Sequence, residues 1–180
     1  RQLVTSRARA DGAAGATGAT GPQGPIGPSG PGGPTTVRKT NADDTTTSTT
    51  LQPVTGLNFT LAANTTYSFE YFILFQSAST TRGIGLAVNG PASSSLISYT
   101  VSIPRATDGT AGSLEGWGTA WDDAVIGNGV EAANTTYVAR IHGIVNTGAS
   151  GGTLAPRFRA EAATTAVKVM THSWGALSTP

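Results

Sequence analysis

Glycine occupies every third position from Gly12 to Gly33, and this strict period constrains the fold more than any other feature of the chain. The eight glycines are Gly12, Gly15, Gly18, Gly21, Gly24, Gly27, Gly30 and Gly33, and proline directly follows five of them. Such a period is typical of three polyproline-II-like strands wound around one axis, where only glycine fits. A flexible linker has no reason to keep the phase through eight triplets, so we expect residues 12–35 to form a three-stranded stalk.

The predicted stalk is a collagen-like triple helix, but a weakly stabilised one. Residues 12–35 carry no charged side chain, so ion pairs cannot set the register of the strands. Proline stands only directly after glycine, which leaves no hydroxyproline at the third position of the triplet, where it normally stabilises collagen. The stalk is also short, about 70 Å at about 3.1 Å per residue. We therefore expect the rest of the chain to hold the three strands together.

Composition divides the chain into four parts. Residues 1–11 lead into the stalk from the expected anchoring end, and residues 12–35 are the stalk itself. Residues 36–50 are polar and lack apolar periodicity, which predicts a connector. Residues 51–180 contain about seven or eight short β-type runs, which predict a jelly-roll-like β-sandwich head. Because no segment has a 3.6-residue apolar period, the predicted fold class is all-β.

The overall composition argues against several functions. The chain has 11 basic and 10 acidic side chains, whereas nucleic acid demands a concentrated basic face. It has no apolar run near the length that spans a membrane. With no cysteine, two histidines and one methionine, it offers little for metal or redox chemistry. We therefore predict no cofactor, no metal site and no enzymatic activity.

The clearest predicted strand, Tyr67–Gln76, is apolar on both of its faces. Alternate residues of a strand point to opposite sides, so one face carries Phe69, Tyr71, Ile73 and Phe75 and the other carries Phe72 and Leu74. A strand that is apolar on both faces is covered on both sides. Two interpretations remain open: either Phe72 and Leu74 lie in the interface of a trimer, or a long loop of the same chain covers them.

One six-residue phrase occurs twice in the head. Ala62–Tyr67 and Ala132–Tyr137 both read AANTTY, with an offset of 70 residues (132 − 62). Asn-Thr favours a turn before a strand. The repetition predicts two equivalent strand entries, one in each half of a double Greek key.

Residues 112–129 form the candidate binding loop. This glycine-rich segment lacks strand periodicity and contains Trp117, Trp121, Asp122 and Asp123. Indole stacks on the apolar faces of sugars while carboxylates meet their hydroxyls, and tryptophan is enriched at binding hot spots. The alternative, which the usual burial of large aromatics favours, is that both indoles cap the sandwich. If the protein binds a ligand, these four residues are the predicted site.

The segment Gly148–Gly152 matches the G-x-S-x-G pattern of a serine nucleophile, with Ser150 at its centre. That motif requires a helix after the serine, whereas Thr153–Ala160 has the pattern of a strand. Nothing in the sequence orders His142 and His172 beside the serine. We interpret the segment as a glycine-rich hairpin turn and predict no catalytic residue.

A collagen-like run, Gly12–Thr35, ahead of a compact β-domain resembles two groups of proteins. One group comprises the collagen-like tail fibres and other fibre proteins of tailed bacteriophages. The other comprises bacterial surface and spore-coat proteins that place a C1q/TNF-like jelly roll after a collagen stalk. The segments Leu61–Gln76 and Gly143–Phe158 look most like phage fibre and appendage domains. Both groups are homotrimers whose heads fasten the stalk, so the resemblance implies a homotrimer.

The function that this resemblance implies is structural. We expect a homotrimeric fibre of a phage virion, anchored through its N-terminal end and displaying three heads at the virion surface for attachment to a host glycan or protein. A capsid head fibre, a decoration protein, or a bacterial or spore-surface filament without a receptor remains the alternative. A hydrolase head would need paired carboxylates in a groove. Because the chain has only 10 acidic residues, the sequence does not favour a hydrolase.

Overall fold

The structure, a computed structural model, describes residues 33–107 and 110–180. The lead-in of residues 1–11 and the repeat glycines from Gly12 to Gly30 lie outside the described residues, so the triple helix remains a prediction from the sequence. Of the repeat, residues 33–35 are described.

The described part of the chain contains thirteen strands and no helix. The strands are β1 (Thr35–Arg38), β2 (Asp44–Thr46), β3 (Gln52–Pro53), β4 (Phe59–Leu61), β5 (Thr66–Ser77), β6 (Ile84–Asn89), β7 (Leu96–Thr107), β8 (Thr110–Gly118), β9 (Val125–Ile126), β10 (Tyr137–Asn146), β11 (Gly152–Ala160), β12 (Val167–Val169) and β13 (Trp174–Ser178). The predicted all-β class is confirmed. Several strands are only two or three residues long, too short for a period-two pattern to reveal them.

The strands form two antiparallel sheets. The large sheet has eight strands in the order β1-β13-β5-β10-β7-β8, with β12 paired to β5 and β2 paired to β12. The small sheet has five, in the order β3-β11-β6-β9, with β4 paired to β11. Tyr71 and Ile141 of the large sheet share one core with Leu86 and Phe158 of the small sheet. Two sheets around a common core are the arrangement of a β-sandwich.

Strand β5 lies in the middle of the large sheet and follows the predicted alternation along its whole length. Its core-facing residues are Tyr67, Phe69, Tyr71, Ile73 and Phe75, all of them buried. Phe72 and Leu74 point to the opposite, outer face of the sheet, where both are only half-buried. No loop of the described chain therefore buries them fully.

Residues 36–50 do not form a separate connector in the described structure. Most of β1 and the whole of β2 fall in this segment and pair with β13 and β12 of the large sheet. These strands escaped prediction because their segment is mostly polar: Val37 of β1 packs against the core, and fully buried Lys39 is held by Asp44 at 3.0 Å. The head begins at Gly33, and Thr35, expected to end the stalk, already belongs to β1.

Residues 112–129 also contain more regular structure than the sequence predicts. Strand β8 continues to Gly118 and pairs with β7, and β9 follows at Val125–Ile126. The glycines of β8 break the apolar alternation on which the prediction relied. Gly118 is required in that position, because an added Cβ would lie 2.3 Å from the ring of Tyr99.

The repeated AANTTY phrase opens β5 and β10, which are neighbours in the large sheet. Asn64 and Asn134 both take left-handed backbone conformations, with φ of 50° and 56°, which asparagine tolerates. Each tyrosine hydroxyl accepts a hydrogen bond from the backbone N–H five residues earlier, at 3.0 Å for Tyr67 and 2.8 Å for Tyr137. The two strand entries are equivalent, as predicted, and lie at opposite ends of the antiparallel pair.

Candidate interaction surface

The four residues predicted as a ligand site do not converge on one surface. Trp117 lies near the end of β8 on the outer face of the large sheet, and its side chain is 75 % exposed. Trp121 instead packs against the core, and its indole Nε1 donates a hydrogen bond to the backbone oxygen of Pro91 at 3.0 Å. Only one of these two indoles therefore caps the core.

Asp122 and Asp123 make their contacts within the fold. Asp122 Oδ2 accepts hydrogen bonds from Arg157 Nη1 and Asn89 Nδ2, each at 2.8 Å, and its Oδ1 is buried without a partner in the described structure. The backbone oxygen of Asp123 accepts the Tyr99 hydroxyl at 2.6 Å. Burial raises the pKa of Tyr99 to about 12. These contacts stabilise the turn between β8 and β9. They direct neither aspartate towards Trp117.

The exposed large hydrophobic side chains of the described residues all lie on the outer face of the large sheet. They are Leu96, Trp117, Val138, Ile144 and Trp174, between 38 % and 75 % exposed. We call this surface, together with Phe72 and Leu74, the apolar face. The outer side of the small sheet carries Thr153, Arg157 and Arg159 instead. Apolar side chains gathered on one face of a domain mark an interaction site.

Strand register explains why these residues share a side. Trp174 lies directly opposite Phe72, and Val138 lies directly opposite Leu74. Phe72 and Leu74, the predicted trimer-interface residues, are therefore at the centre of the apolar face. Sequence reasoning missed Val138, although it precedes buried Ala139 in a strand whose alternation was visible.

The stacked rings of Trp174 and Phe72 form an aromatic platform on this face. Their centroids are 4.7 Å apart and their planes differ by 14°. The guanidinium of Arg140 lies 5.5 Å from the centroid of Phe72 and pairs with Glu70. A cation over an aromatic ring is attracted to it, so these contacts fix the platform while Trp174 stays partly exposed.

The last residues of the glycine repeat reach the same face. Pro34 lines a groove of about 480 Å³ together with Ser68, Glu70, His142 and Ile144. Those four residues belong to β5 and β10, at the centre of the large sheet. The junction between the repeat and the head therefore lies beside the apolar face.

The serine motif does not assemble a catalytic group. Ser150 lies in the turn between β10 and β11, which belong to different sheets, so the turn is not the expected hairpin. Its backbone N–H donates to Ser93 Oγ at 3.2 Å. His142 lies on the outer face of the large sheet, and His172 Nδ1 is 3.1 Å from Arg38 Nη2. Within the described residues, no hydrogen bond joins either histidine to Ser150.

Comparison of the chain with protein-family models, curated proteins and solved structures gives no match. Across residues 33–107 and 110–180, no helix has the length and apolar character needed to cross a membrane. The same residues do not bring three or more histidine, aspartate or glutamate side chains together where a metal ion could be held. The apolar face is the candidate interaction surface of the described residues.

Proposed function

We propose that this chain is a non-enzymatic structural protein that forms a homotrimeric fibre of a phage virion, with a collagen-like stalk and three jelly-roll-like heads. One observation carries the proposal: the apolar face lies beside Pro34, the end of a repeat that needs three chains to fold. The resemblance to phage fibres supplies the virion as its setting, with the N-terminal end as the anchor.

The mechanism couples the stalk and the heads. Three strands of a triple helix wind around one axis, so the three copies of Pro34 lie close together. The apolar face of each head, which lies beside its Pro34, is then close to the apolar faces of the other two heads. Burial of apolar surface between the heads stabilises the trimer by about 25 cal/mol per Å². Heads that are already joined raise the effective concentration of the three stalk strands. A short stalk without charges can then wind although its own stability is marginal.

Three joined heads also suit attachment to a host surface. Each head offers one copy of any weak binding site, and three copies on one fibre gain avidity. A capsid head fibre, a decoration protein or a surface filament would share the trimer and lack the receptor. A binding assay of the full-chain trimer on host cells or on surface glycans separates these alternatives, because only an attachment fibre should bind to them.

The test of the trimer is the solution mass of the full chain and of residues 33–180, by light scattering after size exclusion. The fragment of residues 33–180 contains both sheets and the complete core. We expect the full chain and this fragment to be trimers. A trimer of the full chain with a monomeric fragment would overturn assembly by the heads. A monomeric full chain would overturn the fibre.

A matched pair of variants locates the interface. Leu74→Asp places a charge on the apolar face, where its desolvation on assembly is costly, so this variant of residues 33–180 should be monomeric. Thr153→Asp places the same charge on an exposed position of the small sheet and should leave the trimer intact. A Leu74→Asp variant that stays trimeric would exclude the apolar face as the interface.

A further inference from the structure

A closed ring of three heads joins unlike surfaces. Contacts around a three-fold axis run head to tail, so each head presents two different patches, and each patch meets the other patch on its neighbour. The apolar face carries two such patches, one towards each edge of the large sheet. The docking described here rests on the proposed trimeric fibre.

The first patch is the aromatic platform and the cations around it. Trp174 keeps 38 % of its side chain exposed, and Arg38 of the edge strand β1 lies directly opposite Trp174 in the strand register. Arg140 lies on the other side, over the ring of Phe72, and its charge is balanced by Glu70. This patch is aromatic, and its positive charge comes from Arg38, which forms no ion pair among the described residues.

The second patch lies on β8, at the opposite edge of the same sheet. Trp117 is the most exposed of the large hydrophobic residues, at 75 %. Glu115 is two positions earlier, on the same side of the strand, and is exposed. It forms no ion pair among the described residues. This patch is aromatic and acidic, and so complements the first in charge.

The two patches cannot meet within one head. Strands β5, β10 and β7 lie between β13 and β8. With neighbouring strands about 4.8 Å apart, Trp117 is roughly 19 Å from Trp174, and Arg38 on β1 is one strand farther away. Any contact between the patches therefore involves a second copy of the chain.

We propose that Trp117 and Glu115 of one head dock on the platform of the next head, with Trp117 against Trp174 and Glu115 against Arg38. Aromatic pairing adds attraction beyond the area buried, and the charged pair fixes which edge meets which. The docking assigns Trp117 to a contact between heads rather than to a sugar. It also explains why so large a side chain is left uncovered within one head.

Cross-linking tests this docking directly, because the chain contains no cysteine. The double variant Arg38→Cys, Glu115→Cys keeps both tryptophans and, in the full chain, should give covalent dimers and trimers with a short bis-maleimide. Each single variant should give none, and the pair Glu115→Cys, Thr153→Cys controls for chance collision. A trimer by light scattering that yields no cross-link between positions 38 and 115 overturns the docking alone. A monomeric parent chain, with Arg38 and Glu115 intact, overturns the fibre as well.

Trp117→Ala gives an independent readout. Removal of an aromatic anchor costs enough binding free energy to raise the concentration at which the full chain dissociates by about tenfold or more. Because the side chain is exposed in one head, circular dichroism should show the fold unchanged. If the Trp117→Ala trimer dissociates on dilution like the parent, the docking is overturned. If that intact trimer has also lost glycan binding, Trp117 is assigned to a ligand site instead.

Discussion

Lys39 is completely buried although it lies in a polar segment of the chain. Its Nζ is 3.0 Å from Asp44 Oδ2 and donates hydrogen bonds to Thr55 Oγ1 at 2.9 Å and Asn41 Oδ1 at 3.1 Å. A buried cation is tolerated when a carboxylate and further acceptors surround it. This network links the end of β1 to the start of β2. It attaches the segment that follows the glycine repeat to the head.

Asp44→Asn should lower the free energy of unfolding of residues 33–180 by about 3 kcal/mol, because it leaves the Lys39 ammonium buried without its anion. Lys39→Met removes the charge and keeps a long side chain, so it should cost less. Lys168→Ala changes an exposed position of β12 and should stay within about 0.5 kcal/mol of the parent. Urea unfolding at one fixed protein concentration measures all three. A loss at Lys39→Met as large as that at Asp44→Asn would contradict this account of the pair.

Among the elements, the twin entries to β5 and β10 allow one contact to be compared in two environments. Tyr67 is buried and Tyr137 is half-buried, and each hydroxyl accepts the N–H of the alanine that opens its phrase. Tyr67→Phe leaves that donor without a partner at a part-buried position, which costs about 1–2 kcal/mol. Tyr137→Phe should cost less, because water reaches Ala132. Urea unfolding of the two variants measures the difference, and a larger loss for Tyr137→Phe would contradict the argument that burial sets the contribution of this hydrogen bond.

Whether an element could be predicted depended on how its residues are buried. Strand β5 was evident because its alternation is unbroken, and the same pattern placed Phe72 and Leu74 on the face that carries the candidate site. Strands β1 and β2 could not be predicted, because the single apolar residue Val37 and the polar contacts of Lys39 attach their segment to the head without an apolar period. Burial supplied by ion pairs leaves no periodic signal in a sequence.

The four residues of the candidate ligand loop lie on different surfaces for another reason. Trp117 and Asp122 are five positions apart, but the chain leaves β8 between them and turns, and Asp122 takes a left-handed conformation with φ of 61°. Trp117 therefore stays on the outer face of the large sheet, whereas Asp122 faces Arg157 of the small sheet. Nearness in sequence did not bring these residues to one site, because Trp117 lies on β8 and Asp122 lies in the turn that follows it.

For the whole molecule, the proposed fibre assigns the stalk and the heads unequal roles in assembly. Eight uncharged triplets would supply a geometry that requires three chains, and little stability beyond it. The apolar face would supply the surface that three heads bury. We therefore expect the heads to remain joined when the stalk is unwound, because their contact does not depend on the stalk once it has formed.

Gly21→Val tests this order in the full chain. Only glycine fits at the axis of a triple helix, so valine there should disrupt the stalk locally and lower its melting temperature, followed by the polyproline-II band in circular dichroism. Thr20→Val introduces the same side chain at the third position of the preceding triplet, away from the axis, and should melt close to the parent. Light scattering should find both variants trimeric, because the heads hold them. Dissociation of Gly21→Val into monomers, with Thr20→Val still trimeric, would show that the stalk drives assembly and that the apolar face follows it.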